Sequence, residues 1–203
     1  MALEKSPWLI EEILNRKHEI SAHGVKWISH AYFSREEEKK IINECYSSIL
    51  KLSGRPPLGW HTKSSTSPFT RDLLIEHGGF MYDSNAYNDD IPYVIRQNDR
   101  KFVIIPYSFD TNDMRFDGNN GFVQGDDFNT YCKESFNQLL SETDDGSLRM
   151  MSIGLHPRII GRPGRIKGLE DFIKHIKTYQ NVWIPTRIDI AKHCLEKDLF
   201  NFF

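Results

Sequence analysis

The chain has few of the features that fix a chemistry at a glance. Its cysteines number three, Cys45, Cys132 and Cys194, an odd count at wide spacing with no pair at metal-ligand distance. That excludes a disulfide scaffold and a zinc ribbon. Each lies in a helical pattern, so they read as buried reduced thiols of a cytoplasmic protein. Charge of one sign is not in excess either. Twenty-six Lys and Arg against 28 Asp and Glu leave a net −2 over 203 residues, with basic and acidic positions interspersed. No nucleic-acid footprint follows from such a distribution. No apolar run is long enough to span a bilayer. Met1-Ala2-Leu3-Glu4-Lys5 leads into an amphipathic helical pattern rather than a secretory signal. Neither a membrane nor a nucleic acid is therefore an expected partner. Internal repeats and low-complexity tracts are also missing. With 39% hydrophobic and 27% charged residues, the composition is that of one ordinary core, and residues 1–203 read as a single domain.

What is present is an alternation of strand and helix. Ser6-Pro7 starts a helix with Leu9, Ile10, Ile13 and Leu14 on one face, and residues 18–23 form a short strand. Ser34 and Glu37 make a capping box. The helix they open carries Ile41, Ile42, Cys45, Ile49 and Leu50 and ends at Gly54. Strands follow at 58–62, 80–84 and 102–107, with a helix from Ser67-Pro68 to Gly78-Gly79 between the first two. A helix through Phe128, Tyr131, Cys132, Phe136, Leu139 and Leu140 precedes a strand at 149–155. A helix at 166–179, a strand at 182–184 and a last helix from Asp189 complete the order. Helices between single strands predict an α/β fold with a mostly parallel sheet or a barrel segment. Residues 85–127, irregular apart from the 102–107 strand, read as the wall of a substrate pocket.

The most informative stretch is Ser152-Ile153-Gly154-Leu155-His156-Pro157-Arg158-Ile159-Ile160-Gly161-Arg162-Pro163-Gly164-Arg165. A strand delivers His156 to its C-terminal end, and a turn with three arginines follows. Side chains at the C-terminal ends of parallel strands face the substrate crevice. A titratable imidazole there, beside Arg158 and Arg162, reads as a proton-transfer group with anion-holding neighbours. The other reading is a histidine that only satisfies a strand end. Other strands end at His23-Gly24, Trp60-His61-Thr62 and Asp83-Ser84, with Asp110, Asn112 and Asp113 after the fourth. If the strands are parallel these groups share one cavity, which suits hydrolysis: an acid protonates a leaving nitrogen while a base or metal activates water. His18, His77, His175 and His193 read as surface or helix residues.

His23 is a possible metal ligand, but Trp27 stands where a second histidine would complete a local pair, and indole has no lone pair to give. His30 is too far along for adjacent-turn pairing. Asp89-Asp90, before Ile91-Pro92-Tyr93, are either a solvated turn or holders of a polar substrate or of an arginine such as Arg158.

Several motifs carry a resemblance over nearly the whole chain. The run His18-Glu19-Ile20-Ser21-Ala22-His23-Gly24-Val25-Lys26-Trp27 resembles the second motif of polysaccharide deacetylase-like (NodB-homology) hydrolases, and more narrowly their allantoinase branch. Pro57-Leu58-Gly59-Trp60, Gly79-Phe80-Met81-Tyr82-Asp83-Ser84, Asp89-Asp90-Ile91-Pro92-Tyr93, Asn112-Asp113-Met114-Arg115-Phe116, Gly154-Leu155-His156, Gly161-Arg162-Pro163-Gly164-Arg165 and Arg187-Ile188-Asp189-Ile190-Ala191 match as well. The resemblance implies a distorted (β/α) barrel of parallel strands. Barrels of this family run to about 300 residues, and the family's first motif, with its aspartates, precedes everything seen here. The expectation is an incomplete barrel lacking the first strands.

The resemblance further implies that deacetylases of the family hold a divalent metal such as zinc with an aspartate and two histidines. His23 matches the first histidine and Trp27 replaces the second, as in the metal-independent allantoinase branch, so no cofactor is expected. His156 matches the general acid. The implied activity is hydrolytic opening of the hydantoin ring of allantoin in ureide catabolism, a C–N cleavage of a small amide or ureide. Catalytic residues would be His156 and His23. Substrate-binding residues would be Trp27, Trp60, Asp83, Ser84, Asp89, Asp90, Asp113, Arg158 and Arg162, the last two stabilising charge on the amide oxygen. Lys63-Ser64-Ser65-Thr66-Ser67-Pro68-Phe69-Thr70-Arg71 departs from the relatives, which often carry an arginine just after the Trp60 strand. A metal-dependent N-acetyl sugar deacetylase and an inactive fragment or binding module are the alternatives. Exposed strand edges would favour a homo-oligomer.

Overall fold

The computed structural model describes residues 2–97, 99–118 and 121–197. They fall into two compact units. The first gathers the described residues of Met1–Ala86, Pro92–Ile105 and Pro185–Phe203, the second Tyr87–Ile91 and Pro106–Ile184.

In the first unit, α1 (Ala2–Lys5) and α2 (Trp8–Asn15) precede the long helix α3 (Arg35–Ser53). Pro7 caps α2 without a side-chain bond, so the expected Ser6 cap is not used. The capping box opens α3 as read: Ser34 Oγ accepts from Glu37 N–H, and Glu37 Oε2 accepts from Ser34 N–H at 2.9 Å. Gly54 ends it at φ 70°, a left-handed value that glycine adopts without Cβ strain. Ile42, Cys45 and Ile49 form its buried stripe.

β1 (Gly59–Trp60), α4 (Thr70–His77), β2 (Tyr82–Asp83), β3 (Tyr93–Gln97) and β4 (Arg100–Ile104) follow. The sheet order is β1-β2-β4-β3. β1, β2 and β4 are parallel, with Gly59 opposite Tyr82 and Tyr82 opposite Val103. β3 runs antiparallel to β4, from Tyr93 opposite Ile104 to Gln97 opposite Arg100. The sheet is thus mostly parallel, as expected, with one antiparallel strand added by a hairpin inside the segment read as irregular. Asp99, beside the hairpin turn, holds φ 58°. The predicted strand at 18–23 shrinks to one parallel bridge, Ala22 to Trp60. Ala22, Ile42, Ile49, Trp60, Leu74, Phe102 and Ile104 are the core of this unit. α8 (Arg187–Lys197) belongs to it and buries Ala191 and Cys194.

The second unit has a 3-10 turn, η1 (Asp113–Asp117), then α5 (Gly125–Ser141), the short α6 (Pro157–Ile160) and α7 (Pro163–Ile176). Phe128, Cys132 and Phe136, four residues apart on α5, pack with Phe116, Ile159, Ile160 and Phe172. α5 and α7 cross closely where two glycines meet: a Cβ on Gly168 would lie 1.9 Å from the Gly125 carbonyl oxygen. The strands expected at 149–155 and 182–184 are not formed; the first is reduced to one parallel bridge, Asn112 to Gly154. Short runs such as 182–184 read as strands on β-branched and aromatic content, but only neighbours with ladder hydrogen bonds make them strands. No helix among the described residues is long and apolar enough to cross a membrane.

Candidate active site

In the second unit, residues 111–113 and 152–156 run side by side. Asp113 N–H donates to the Gly154 carbonyl at 2.9 Å, Gly154 N–H to that of Thr111 at 3.3 Å, and Thr111 Oγ1 to that of Ser152 at 2.6 Å. The pairing is tight enough to need glycine: a Cβ at Gly154 would stand 2.1 Å from the Tyr107 hydroxyl. The two segments end on Asp113 and His156. The Asp113 carboxylate, wholly buried, takes three bonds. Oδ1 accepts from His156 Nδ1 at 2.6 Å, and Oδ2 from the backbone N–H of His156 at 2.6 Å and of Ile160 at 3.2 Å. His156 itself caps α6 in an extended conformation, with Pro157 at the first helical position. Its side chain keeps 21% exposure. With Nδ1–H given to a carboxylate, proton exchange is directed to Nε2.

This corrects the reading of Asp113 as a substrate contact: its carboxylate is buried and bonded to His156 and Ile160. Arg158 and Arg162 are exposed, Arg158 in the last turn of α6 and Arg162 as the N-cap of α7. The third arginine, Arg165, lies over the Phe116 ring at 4.5 Å. Asp89 and Asp90 are exposed. Asp89 Oδ1 accepts from Asp90 N–H at 2.8 Å, and the Asp90 carbonyl accepts from Met150 N–H at 2.7 Å. Burial, then the charges of Asp110, Asp89 and Glu142, push the Asp90 carboxyl above its ordinary value.

In the first unit, successive parallel positions end on His23, His61 and Ser84. Ala22 N–H donates to the Gly59 carbonyl and His61 N–H to that of Ala22, while Ser84 N–H donates to that of Trp60. The side chains repeat this stagger. His23 Nδ1–H donates to the His61 carbonyl at 2.5 Å, and His61 Nδ1–H to the Ser84 carbonyl at 2.7 Å. A carbonyl can only accept, so both rings carry a proton on Nδ1. The rings stack with centroids 5.2 Å apart and planes 12° from parallel. Burial first, then the neighbouring His23, drives the His61 pKa down to about 4, against the partial support of the Ser84 bond. His61 is thus neutral at physiological pH.

Arg187, at the start of α8, donates to Ser84 Oγ at 3.0 Å. Asp83, also wholly buried, is held by Arg71, Nε at 2.8 Å and Nη2 at 3.3 Å, and accepts Asn85 N–H at 2.9 Å. Trp60 is fully buried with Nε1 donating to Thr62 Oγ1 at 2.8 Å. Trp60 and Asp83 were expected to bind substrate. Both are corrected to supports, since no face of either reaches solvent. Trp27 is 47% exposed, with Lys63 Nζ 5.2 Å from its ring centre. The sequence reading placed His61 among the strand-end groups but gave no role to it, Arg71, Lys63 or Arg187, since their partners Ser84, Asp83 and Trp27 are set by the fold.

Among the described residues no group of three or more His, Cys, Asp or Glu side chains is arranged to hold a metal. Beside His23, the Trp27 indole has no lone pair to give. The donor set of the described residues does not fit a divalent cation.

No protein-family model matches the chain. A Schizosaccharomyces pombe protein named for the polysaccharide deacetylases is 33% identical over 207 residues, covering 94% of this chain and 64% of that protein. The solved structure of PuuE allantoinase superposes with a TM-score of 0.91 at 41% identity, covering 96% of this chain and 65% of that one. The chain belongs to the polysaccharide deacetylase-like family. A solved Pseudomonas aeruginosa PAO1 structure named for the same family gives a TM-score of 0.93 at 39% identity, over 98% of this chain and 66% of that one. The chain therefore spans 64–66% of the length of these three proteins. The family's α/β fold of the (β/α) barrel type, with the mixed sheet described above, is the fold of this chain.

Proposed function

We propose that the protein is an allantoinase-like hydrolase of a non-peptide C–N bond, opening the hydantoin ring of allantoin to allantoate. The Asp113–His156 pair carries the reading. Water adds to the ring carbonyl, and the C–N bond breaks as His156 Nε2–H gives its proton to the leaving nitrogen. The proton of the water goes to a separate base. Asp113 fixes the ring through Nδ1 and lies beside it while it carries the second proton. Arg158 and Arg162 are assigned to the charge that develops on the carbonyl oxygen, where a guanidinium's fixed donors suit an oxyanion.

The choice of a cyclic ureide over an N-acetyl sugar is supported by Trp27. The metal-dependent deacetylases that the chain resembles hold their ion with two histidines, and Trp27, whose indole has no lone pair to give, stands in place of the second. The 41% identity to PuuE allantoinase supports the same choice. The test is allantoate formation from allantoin by the purified protein with a chelator present. Turnover that persists with chelator and is lost in His156→Ala is expected. Chelator-sensitive acetate release from an N-acetylated sugar, without allantoate, overturns the reading in favour of a deacetylase.

A further inference from the structure

Glu38 is a carboxylate on α3 with no solvent exposure, and neither His23 nor His156 needs it for the chemistry above. Three side chains converge on it. His30 Nδ1 lies 2.8 Å from Oε1, Thr70 Oγ1 donates to Oε1 at 2.6 Å, and Ser67 Oγ donates to Oε2. Burial works against its charge, yet the bonds from His30, Ser67 and Thr70 outweigh it and hold the carboxyl below its ordinary value.

His30 and Ser67 come from two loops that leave the histidine ladder, and Thr70 opens α4 just after the second. One runs from His23 to His30, the other from His61 to Ser67. They are tied to each other as well: His30 N–H donates to the Ser65 carbonyl at 3.0 Å and Ser29 Oγ to the same oxygen at 3.2 Å. The first loop folds back on itself. Gly24 turns at φ 81°, and a Cβ there would lie 3.3 Å from His30 Nε2. Its ends thus touch, and Trp27 stands at its tip, facing Lys63 from the second loop.

We infer that Glu38 is a positioning residue, the common anchor that fixes the Trp27 loop and the Lys63 loop and so sets the Trp27 face offered to substrate. Apolar residues in its place could stabilise the fold as well or better. A charged acceptor with three donors adds direction, since each bond has one geometry that satisfies it. The inference rests on Trp27 as a substrate contact, but its first readout does not depend on which substrate is turned over.

The experiment compares acrylamide quenching of tryptophan fluorescence in the wild type, Glu38→Gln and Ser67→Ala. The Trp27 contribution is assigned by repeating each measurement in a Trp27→Phe background, and far-UV circular dichroism checks the fold. Glu38→Gln is expected to raise quenching of Trp27 with unchanged circular dichroism. It is also expected to raise the KM for allantoin roughly ten-fold while kcat changes little, the signature of lost uniform binding. Ser67→Ala, which removes one donor and leaves the carboxylate charged, should move the same quantities less and serves if the glutamine variant does not fold. Wild-type quenching of Trp27 in folded variants overturns the inference. Absent allantoin turnover in the wild type counts against the proposed function and leaves the quenching result to decide on Glu38.

Discussion

Asp113→Asn is the sharpest perturbation of the proposed chemistry, because it keeps the shape and removes the charge. One carboxylate oxygen becomes an NH2 group, and neither place for it is good. At the position of Oδ2 it faces two backbone donors, the N–H groups of His156 and Ile160. At the position of Oδ1 it faces His156 Nδ1–H, and the ring must give up that proton to accept from the amide. Hydrogen bonds to a charged group contribute about 1.5–3 kcal/mol each, and a buried group left unsatisfied costs about 1–3 kcal/mol. The variant should therefore lose about 2–4 kcal/mol of stability. For a chain of this size that is a drop in Tm of roughly 5–15 °C. Turnover should fall further, by about 10²–10⁴-fold, the usual contribution of a positioned acid. Thermal denaturation followed by circular dichroism reads the first quantity and allantoate formation reads the second. Wild-type melting together with wild-type turnover would refute the argument that Asp113 holds His156. A drop in Tm with full turnover would leave the pair structural and His156 outside the reaction.

Three further perturbations test other parts of the structure. The His61 pKa is depressed to about 4 in the folded state, so the unfolded chain binds a proton that the native state refuses between the ordinary histidine value, 6.5, and about 4. Stability should fall as pH drops through that window, and His61→Asn, whose amide N–H can take the place of Nδ1–H toward Ser84, should flatten the slope of Tm against pH; an unchanged slope assigns it to other groups. Gly168→Ala would put a methyl 1.9 Å from the Gly125 carbonyl oxygen, so chemical denaturation should show a loss of at least about 1–3 kcal/mol, and a neutral result would mean that α5 and α7 do not pack this closely. Burial pushes the Cys45 thiol up to about 11 and the Cys132 thiol up to about 12, and also raises Cys194. Ellman's reagent at pH 8 should find these thiols only after denaturant is added, and fast labelling of the native protein would contradict their burial.

Where a signal is local, the sequence carries it to the residue. Ser34 and Glu37 announce the start of α3, and Gly54 and Gly78 stand at its end and that of α4 because a left-handed cap favours glycine. The short helix that Pro157 opens after His156 was read only as a turn, although proline at a first helical position is a local signal. What failed depends on partners distant in the chain. Residues 149–155 have the composition of a strand, yet only Gly154 finds a ladder partner, Asn112, forty-two positions earlier. The hairpin of β3 and β4 was hidden because Tyr93–Gln97 lies in a polar region rich in turn residues, although Val94 and Ile95 before Asn98-Asp99 are a hairpin pattern. Roles were harder than places. Asp83, Asp113 and Trp60 were read as substrate contacts, but a sequence does not show that each is fully buried with its polar group on Arg71, His156 and Thr62.

The two histidines of the first unit show why burial and function need not compete there. A neutral imidazole has one donor and one acceptor, and the ladder uses the donor of each ring in the same way, toward the carbonyl of the next strand end. Those carbonyls lie at C-terminal strand ends, where the sheet leaves acceptors over. His23 thereby has its Nδ1–H fixed toward the His61 carbonyl, and His61 stays neutral because burial and the neighbouring His23 both oppose its protonation. Arg187 closes the row on Ser84 Oγ, and Arg71 closes it on Asp83 one residue earlier. Breaking the row at its centre should be felt at both ends: His61→Ala removes the Ser84 bond and the stacking partner of His23 together, whereas a change at Arg187 removes the bond to Ser84 Oγ at the far end. A double-mutant cycle between His61 and Arg187, read on stability, should therefore give a coupling above the additivity limit of about 0.5 kcal/mol. Additive effects would mean that the row is a set of separate contacts.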